Sequence, residues 1–199
     1  EAEMDLVDMV LCGLVNKRIV RLFGKWGLPA VGISGADAGL LHGIPVTAPD
    51  GRQSRTARVQ TVDTGLLRGL WSLGYVPVIA SPASSADGDA VNINADEAAF
   101  SIGAELGADA IAFFSDVPGV LVDNTPVTDL TMDEAERLIA TGTITGGMVA
   151  KVRSIHQALT AGVRRIVVGC YTRSGDLNRL LDGTLGTTIH LRRRQDGEQ

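Results

Sequence analysis

Val91-Asn92-Ile93-Asn94-Ala95-Asp96, followed by Glu97-Ala98-Ala99-Phe100-Ser101-Ile102, changes its period halfway along. The first half alternates apolar and polar residues as the end of a strand does; the second reads as helix. A strand that passes directly into a helix is the building unit of an α/β protein. By the period of two, Asn92 and Asn94 share one face. Two carboxamides and the Asp96 carboxylate therefore gather at the C-terminal edge of a strand, where open α/β sheets bind ligands. Asp96 is well placed as the helix N-cap, and a carboxylate there would also steer a lysine toward a bound phosphate. An Asn at the same edge would grip a polar substrate.

Outward from this stretch the same alternation continues. Strands are expected over 30–33, 76–80, 110–114, 165–168 and 186–191, and helices over 4–23, 64–73, 97–107, 132–140 and 147–161. That order predicts a three-layer α/β sandwich with a mostly parallel central sheet and helices on both faces. Pro49-Asp50-Gly51, between polar-apolar alternations from Leu40 to Gln60, adds a β-hairpin. Residues 81–90 are Ser, Ala, Asp and Gly for the most part and read as a mobile loop. No repeat or linker divides the sequence, so 1–199 is expected to form a single domain. Apolar Leu6, Met9, Leu14, Leu22 and Trp26 recur at helical spacing and read either as a partner-binding stripe or as core, core packing being the commoner reason for such spacing.

A second segment carries chemistry of its own. In Thr145-Gly146-Gly147-Met148-Val149-Ala150-Lys151 two glycines precede a helix and permit a tight turn with close approach of a ligand to the first free N–H groups. Lys151 lies four residues beyond Gly147, about one turn into the helix, where its ammonium reaches back over the same anion. Gly146, Gly147, Met148 and Lys151 are thus candidates for nucleotide-phosphate binding without a Walker A sequence. The plainer reading is a glycine-containing helix start with a solvated lysine. A third segment, Phe114-Ser115-Asp116-Val117-Pro118-Gly119-Val120, leaves an apolar strand into a turn marked by Pro and Gly. Ser115 and Asp116 either line a nucleotide pocket or satisfy the loop backbone.

The 199 residues are enough for a substantial core, and a 45% hydrophobic content suits well-buried strands. A formal charge of −5 argues against nucleic acid as the main partner. No apolar run approaches the length of a membrane span. Cys12 and Cys170 sit in apolar contexts without metal-ligand spacing, as buried thiols of a reducing cytoplasm do. His42, His156 and His190 are scattered, so no metal site is expected. Arg192-Arg193-Arg194 reads as a solvated tail.

Six blocks, taken in order, resemble the amino acid kinase family, and most closely its acetylglutamate kinases. They are Met9 to Lys17 (MVLCGLVNK), Val31-Gly32-Ile33-Ser34-Gly35, Gly74 to Ala80 (GYVPVIA), Asn92 to Asp96, Ser115 to Val120 and Gly147 to Lys151. The resemblance covers nearly the whole chain. It implies a cytoplasmic enzyme that uses ATP with Mg2+ to phosphorylate the side-chain carboxylate of N-acetyl-L-glutamate, in arginine biosynthesis. It implies that Asn92, with Asn94 beside it, holds the acyl substrate. Asp96 would orient the catalytic lysines and Lys151 would contact the transferring phosphoryl, with Ser115 and Asp116 near the nucleotide. It also implies at least a homodimer. Three family features are not found: the Lys-x-Gly-Gly strand, the His-Gly-Gly loop and the substrate-gripping arginine that follows them. The sequence therefore resembles a member lacking its N-terminal third, which leaves a non-catalytic nucleotide-binding lobe as another reading. Ala36 stands where acetylglutamate kinases often carry lysine. The Cys12-Gly13-Leu14-Val15-Asn16-Lys17 stretch is similar to kinases of carrier-protein-linked 2-aminoadipate, which makes that substrate the alternative.

Overall fold

The first helical stretch changes its winding. Helix α1 (Ala2–Asp8) runs into a π-helical stretch, Met9–Val15, and then into α2 (Asn16–Lys25). π-Helical winding closes on i→i+5 bonds, so a stripe spaced for 3.6 residues per turn loses its phase across Met9–Val15. The core expectation for this stripe is overturned accordingly. Leu6, Met9, Leu14, Leu22 and Trp26 are 45% to 74% exposed, and the residues that turn inward are Met4 and Asn16. Asn16 is buried because its amide is fully used: Nδ2 donates to Ile33 O at 3.1 Å and to Val78 O at 2.8 Å. Gly32 makes room for it, since a Cβ there would collide with the Asn16 side chain.

The computed structural model describes residues 2–47, 53–123 and 125–191. The chain forms two compact units, Glu1–Glu105 and Leu106–Gln199. In the first, β1 (Ala30–Ser34) is followed by β2 (Leu41–Thr47), β3 (Gln53–Val62), α3 (Gly65–Ser72), β4 (Val76–Ala80), β5 (Pro82–Ser84), β6 (Ala90–Ile93) and α4 (Ala95–Leu106), which reaches the boundary. Strands β1 and β4 pair in parallel from Ala30↔Val76 to Ser34↔Ala80. β2, β3, β6 and β5 close into a small barrel. Leu41, Ala57, Ala83, Val91 and Ile93 fill its interior. The bore is so narrow that a Cβ on Gly43 would come within 2.9 Å of Ala57 Cβ. Burying Val91 and Ile93 there contributes about 1.5–3 kcal/mol each. The antiparallel β2–β3 pair is the expected hairpin; its turn at Pro49-Asp50-Gly51 lies outside the described residues, as do Arg192-Arg193-Arg194. The loop expected at 81–90 is corrected in its first half. Pro82–Ser84 form β5 against β6, because Ala83 supplies a small apolar plug to the barrel.

The second unit contains β7 (Ile111–Phe114), β8 (Leu121–Val122), β9 (Thr125–Pro126), β10 (Asp129–Thr131), α5 (Met132–Ala140), α6 (Gly147–Thr160), β11 (Ile166–Gly169), α7 (Asp176–Leu181) and β12 (Thr187–His190). Its sheet has the order β10-β12-β11-β7, with β10 parallel to β12, β12 antiparallel to β11, and β11 parallel to β7. Ile166, Val167, Val168 and Ile189 are fully buried in it. Helix α5 starts on a capping box: Thr131 Oγ1 accepts from Glu134 N at 3.2 Å while Glu134 Oε2 accepts from Thr131 N at 3.0 Å. Helix α6 buries Val152, Ile155, Ala158 and Leu159, an apolar face at the spacing an amphipathic helix requires. The fold is α/β with parallel-rich sheets.

Candidate functional site

The period change at residues 91–96 is a real junction. Val91 and Ile93 point into the barrel, so by alternation Asn92 points out of it. Asn94 follows the last strand residue, and its Oδ1 accepts from Asp96 N at 2.9 Å and Glu97 N at 3.3 Å. The N-cap of α4 is therefore Asn94 and not Asp96, a correction with a simple cause. The helix starts one residue before Asp96, which puts Asp96 in the first turn. Capping commits the Asn94 carbonyl and leaves its amide nitrogen available. The half-buried Asp96 carboxylate is free of any such duty: among the described residues no hydrogen bond or ion pair reaches it. Asn92, Asn94 and Asp96 thus lie on one short path at the strand end, with Asp96 the charged member. Glu97, next along, is taken up by Val59 N at 2.8 Å, which ties α4 to β3.

In the second unit Gly146 has φ 59° and ψ −139°, a backbone conformation close to the glycine-only region. It turns the chain directly into α6. Val149 N bonds back to Gly146 O at 3.2 Å, so helix geometry directs the N–H groups of Gly147 and Met148 outward from the helix end. Lys151, one turn in, places its Nζ 5.0 Å from the centroid of the Phe113 ring on β7. Ser115 continues that strand by donating its N–H to Gly169 O at 2.8 Å. Its hydroxyl donates to Asp116 Oδ1 at 3.2 Å, with Asp116 exposed beyond it.

A cleft of about 560 Å³ opens beside the start of α6, within the range that holds a small ligand. Met148 lines it, with Val117, Leu121 and Ile144 as further apolar walls and Thr143, Thr145 and Asp123 as polar ones. One wall is stitched by the buried Thr187, whose hydroxyl accepts from Val120 N at 2.8 Å and donates to Val127 O at 2.5 Å. Gly119 permits this, since a Cβ there would stand 2.6 Å from Thr187 Oγ1. Of the expected nucleotide residues, Met148 lines the cleft, while Gly146, Gly147, Lys151, Ser115 and Asp116 are not among its lining residues. The Phe113 contact of Lys151 joins α6 to β7, which Ser115 and Asp116 follow. Leu121, Asp123 and the Thr141–Thr145 run were missed from sequence. The signal was present, since that run of threonines and glycine abuts Gly146.

The Cys12 thiol is pushed up to about 11, by burial first and then by the charges of Asp8 and Asp37. It is protonated at neutral pH and offers no nucleophile. Among the described residues no three His, Cys, Asp or Glu side chains cluster for a metal, and no helix is long and apolar enough to cross a membrane.

Comparison with known proteins adds a family. Residues 1–170 match the amino acid kinase family. The acetylglutamate kinase of Geobacillus kaustophilus (strain HTA426) is 41% identical over 185 residues, 92% of this chain and 69% of that protein. The acetylglutamate kinase of Roseiflexus castenholzii (strain DSM 13941 / HLO8) is 46% identical over 157 residues, 79% of this chain and 60% of that protein. This chain thus spans about three fifths to seven tenths of the length of these relatives. Among solved structures, N-acetylglutamate synthase from Neisseria gonorrhoeae, complexed with coenzyme A and N-acetyl-glutamate, matches 97% of this chain and 44% of its own. Its TM-score is 0.81 at 22% identity. The smu.665 protein of Streptococcus mutans UA159 matches 96% of this chain and 73% of its own, with TM-score 0.79 at 23% identity. At those identities the likeness shows the fold alone.

Proposed function

We propose, for a chain that belongs to the amino acid kinase family, that the protein transfers the γ-phosphoryl group of ATP to the side-chain carboxylate of N-acetyl-L-glutamate. The observation that carries this reading is the glycine-led start of α6, with Lys151 one turn in, beside a 560 Å³ cleft. The 41% and 46% identities to acetylglutamate kinases support the choice of acceptor. In the reaction a carboxylate oxygen attacks the γ-phosphorus while the bond to the β-phosphate bridging oxygen breaks. The electron pair leaves with ADP and an acyl phosphate forms. The acceptor is already ionised, so no general base is required, and positioning with charge neutralisation carries the rate. Leu121, Ile144 and Met148 would flank the base, the Gly147 and Met148 N–H groups and Lys151 would face phosphate, and Asn92 and the Asn94 amide would hold the acyl acceptor. Mg2+ would travel with the nucleotide, for which one or two protein carboxylates suffice; exposed Asp116 is suited to that.

Incubation of the complete natural polypeptide with ATP, Mg2+ and N-acetyl-L-glutamate, with hydroxylamine to trap the acyl phosphate, tests the assignment. A hydroxamate formed at the rate of ADP release is expected. ADP binding without hydroxamate would leave the non-catalytic lobe standing, and a product only with carrier-linked 2-aminoadipate would replace the acceptor. Gly146→Ala is expected to weaken ADP binding about tenfold in titration calorimetry. Holding a Cβ at that backbone conformation costs about 1–3 kcal/mol, although the space around it is open. Unchanged affinity would mean that the helix start does not touch phosphate.

A cytoplasmic homodimer belongs to the same proposal. The exposed apolar side chains of Leu6, Met9, Leu14, Leu22 and Trp26 along this helical stretch support the homodimer, since a partner subunit would cover them. Light scattering that gives a monomer at micromolar concentration would remove the dimer.

A further inference from the structure

We infer that Phe113 is a positioning residue for Lys151: its ring face holds the ammonium on the strand that leads to Ser115, ready for phosphate. The inference rests on the kinase reading of Lys151 and adds a residue that neither the sequence motifs nor the family resemblance supplies. Lys151 Nζ stands 5.0 Å from the Phe113 centroid, inside the range in which a ring quadrupole attracts a cation. Phe113 and Ser115 lie two residues apart on a strand whose ladder continues through Ser115 N. They therefore share one face, with about 7 Å between successive side chains on it. The neighbouring Phe114 alternates to the other face and packs edge-on against Tyr171, with centroids 5.7 Å apart. Only one of the two consecutive phenylalanines can serve the lysine, and the strand period selects Phe113.

A lysine has four side-chain torsions and, left in solvent, explores many rotamers. An ammonium resting on a ring face loses most of that freedom while its N–H donors stay free on the side away from the ring. Catalysis by charge neutralisation gains most from groups fixed before charge develops. Phe113 supplies such fixation through its ring face, without engaging the N–H donors of the ammonium in a hydrogen bond.

The test compares F113L and F113Y with the parent in the complete natural polypeptide, by kcat, by KM for both substrates and by the proton NMR shift of the Lys151 ε-methylene group. A ring face moves those protons upfield. F113L keeps an apolar side chain but removes the π face. It is expected to lower kcat about 3- to 30-fold, to leave KM for the acceptor unchanged and to abolish the upfield shift. F113Y is expected to keep the shift and most of the rate. An unchanged kcat in F113L, or an equal loss in both variants, would overturn the inference, because the second result would assign the effect to packing. So would the absence of an upfield shift in the parent, whatever its activity. Failure of the kinase reading shows differently: Lys151→Ala would then keep full turnover while the shift in the parent persisted.

Discussion

Lys151→Ala is expected to lower kcat by about a thousandfold, with the thermal midpoint unchanged. In phosphoryl transfer the charge spreads over the three equatorial oxygens of the moving group, and fixed positive groups around them supply most of the acceleration. Removing one preorganised donor from such a site costs about 10²–10³ in kcat, and a full positive charge belongs at the upper end of that range. Stability should be spared because the side chain is half-buried and its contact with the Phe113 ring is a single one. The core face of α6 is made by Val152, Ile155, Ala158 and Leu159. Lys151→Arg separates charge from geometry. A guanidinium keeps the charge but presents a planar fork in place of a compact point charge, so only partial recovery is expected. Steady-state kinetics beside a thermal melt decide the matter. Full turnover in the alanine variant would mean that the lysine is an ordinary solvated residue of α6 and that the phosphate is held elsewhere.

Much of this was legible in the sequence, for reasons that differ from element to element. The 91–96 junction was readable because a strand period and a helix period meet there without an intervening loop. The start of α6 was readable because only glycine accepts the backbone that Gly146 adopts. The cap of α4 was misread by two residues because Asn and Asp are nearly equivalent caps, and composition alone does not say which carbonyl closes the first turn. The α1–α2 stripe was misread because a π-helical stretch has no composition signal, yet it shifts the phase of every residue beyond it. The cleft residues Leu121 and Asp123 were invisible for another reason. They sit on a strand of two residues and the turn after it, too short for any periodicity to register. Strand β5 went unread because three residues of Pro, Ala and Ser look like a loop unless the barrel that needs Ala83 is already known.

Asp176→Asn is expected to lower the unfolding midpoint by roughly 10 °C at neutral pH, in the range reserved for broken buried networks. Asp176 opens α7 with its side chain 1% exposed, and it is fully engaged. Oδ2 accepts from Thr172 N at 2.9 Å, Thr172 Oγ1 at 2.9 Å and Arg173 N at 3.0 Å, and Oδ1 accepts from Arg179 Nη1 at 3.2 Å. Asparagine would turn an –NH2 toward one of these donors and leave it unpaired. The pH dependence identifies the cause. Chiefly the Thr172 N–H, and after it the Thr172 hydroxyl, Arg173 N–H and Arg179, outweigh burial and hold the carboxyl down at about 2, against an ordinary 3.8. A depressed folded value means that this group stabilises the fold fully above about pH 4 and that the contribution fades as pH falls through about 2. Asparagine does not titrate. The gap between parent and variant should therefore be constant above about pH 5, narrow below 4 and nearly close by 2. A gap that stayed constant down to pH 2 would mean that the loss comes from shape and not from the charge the loop encloses.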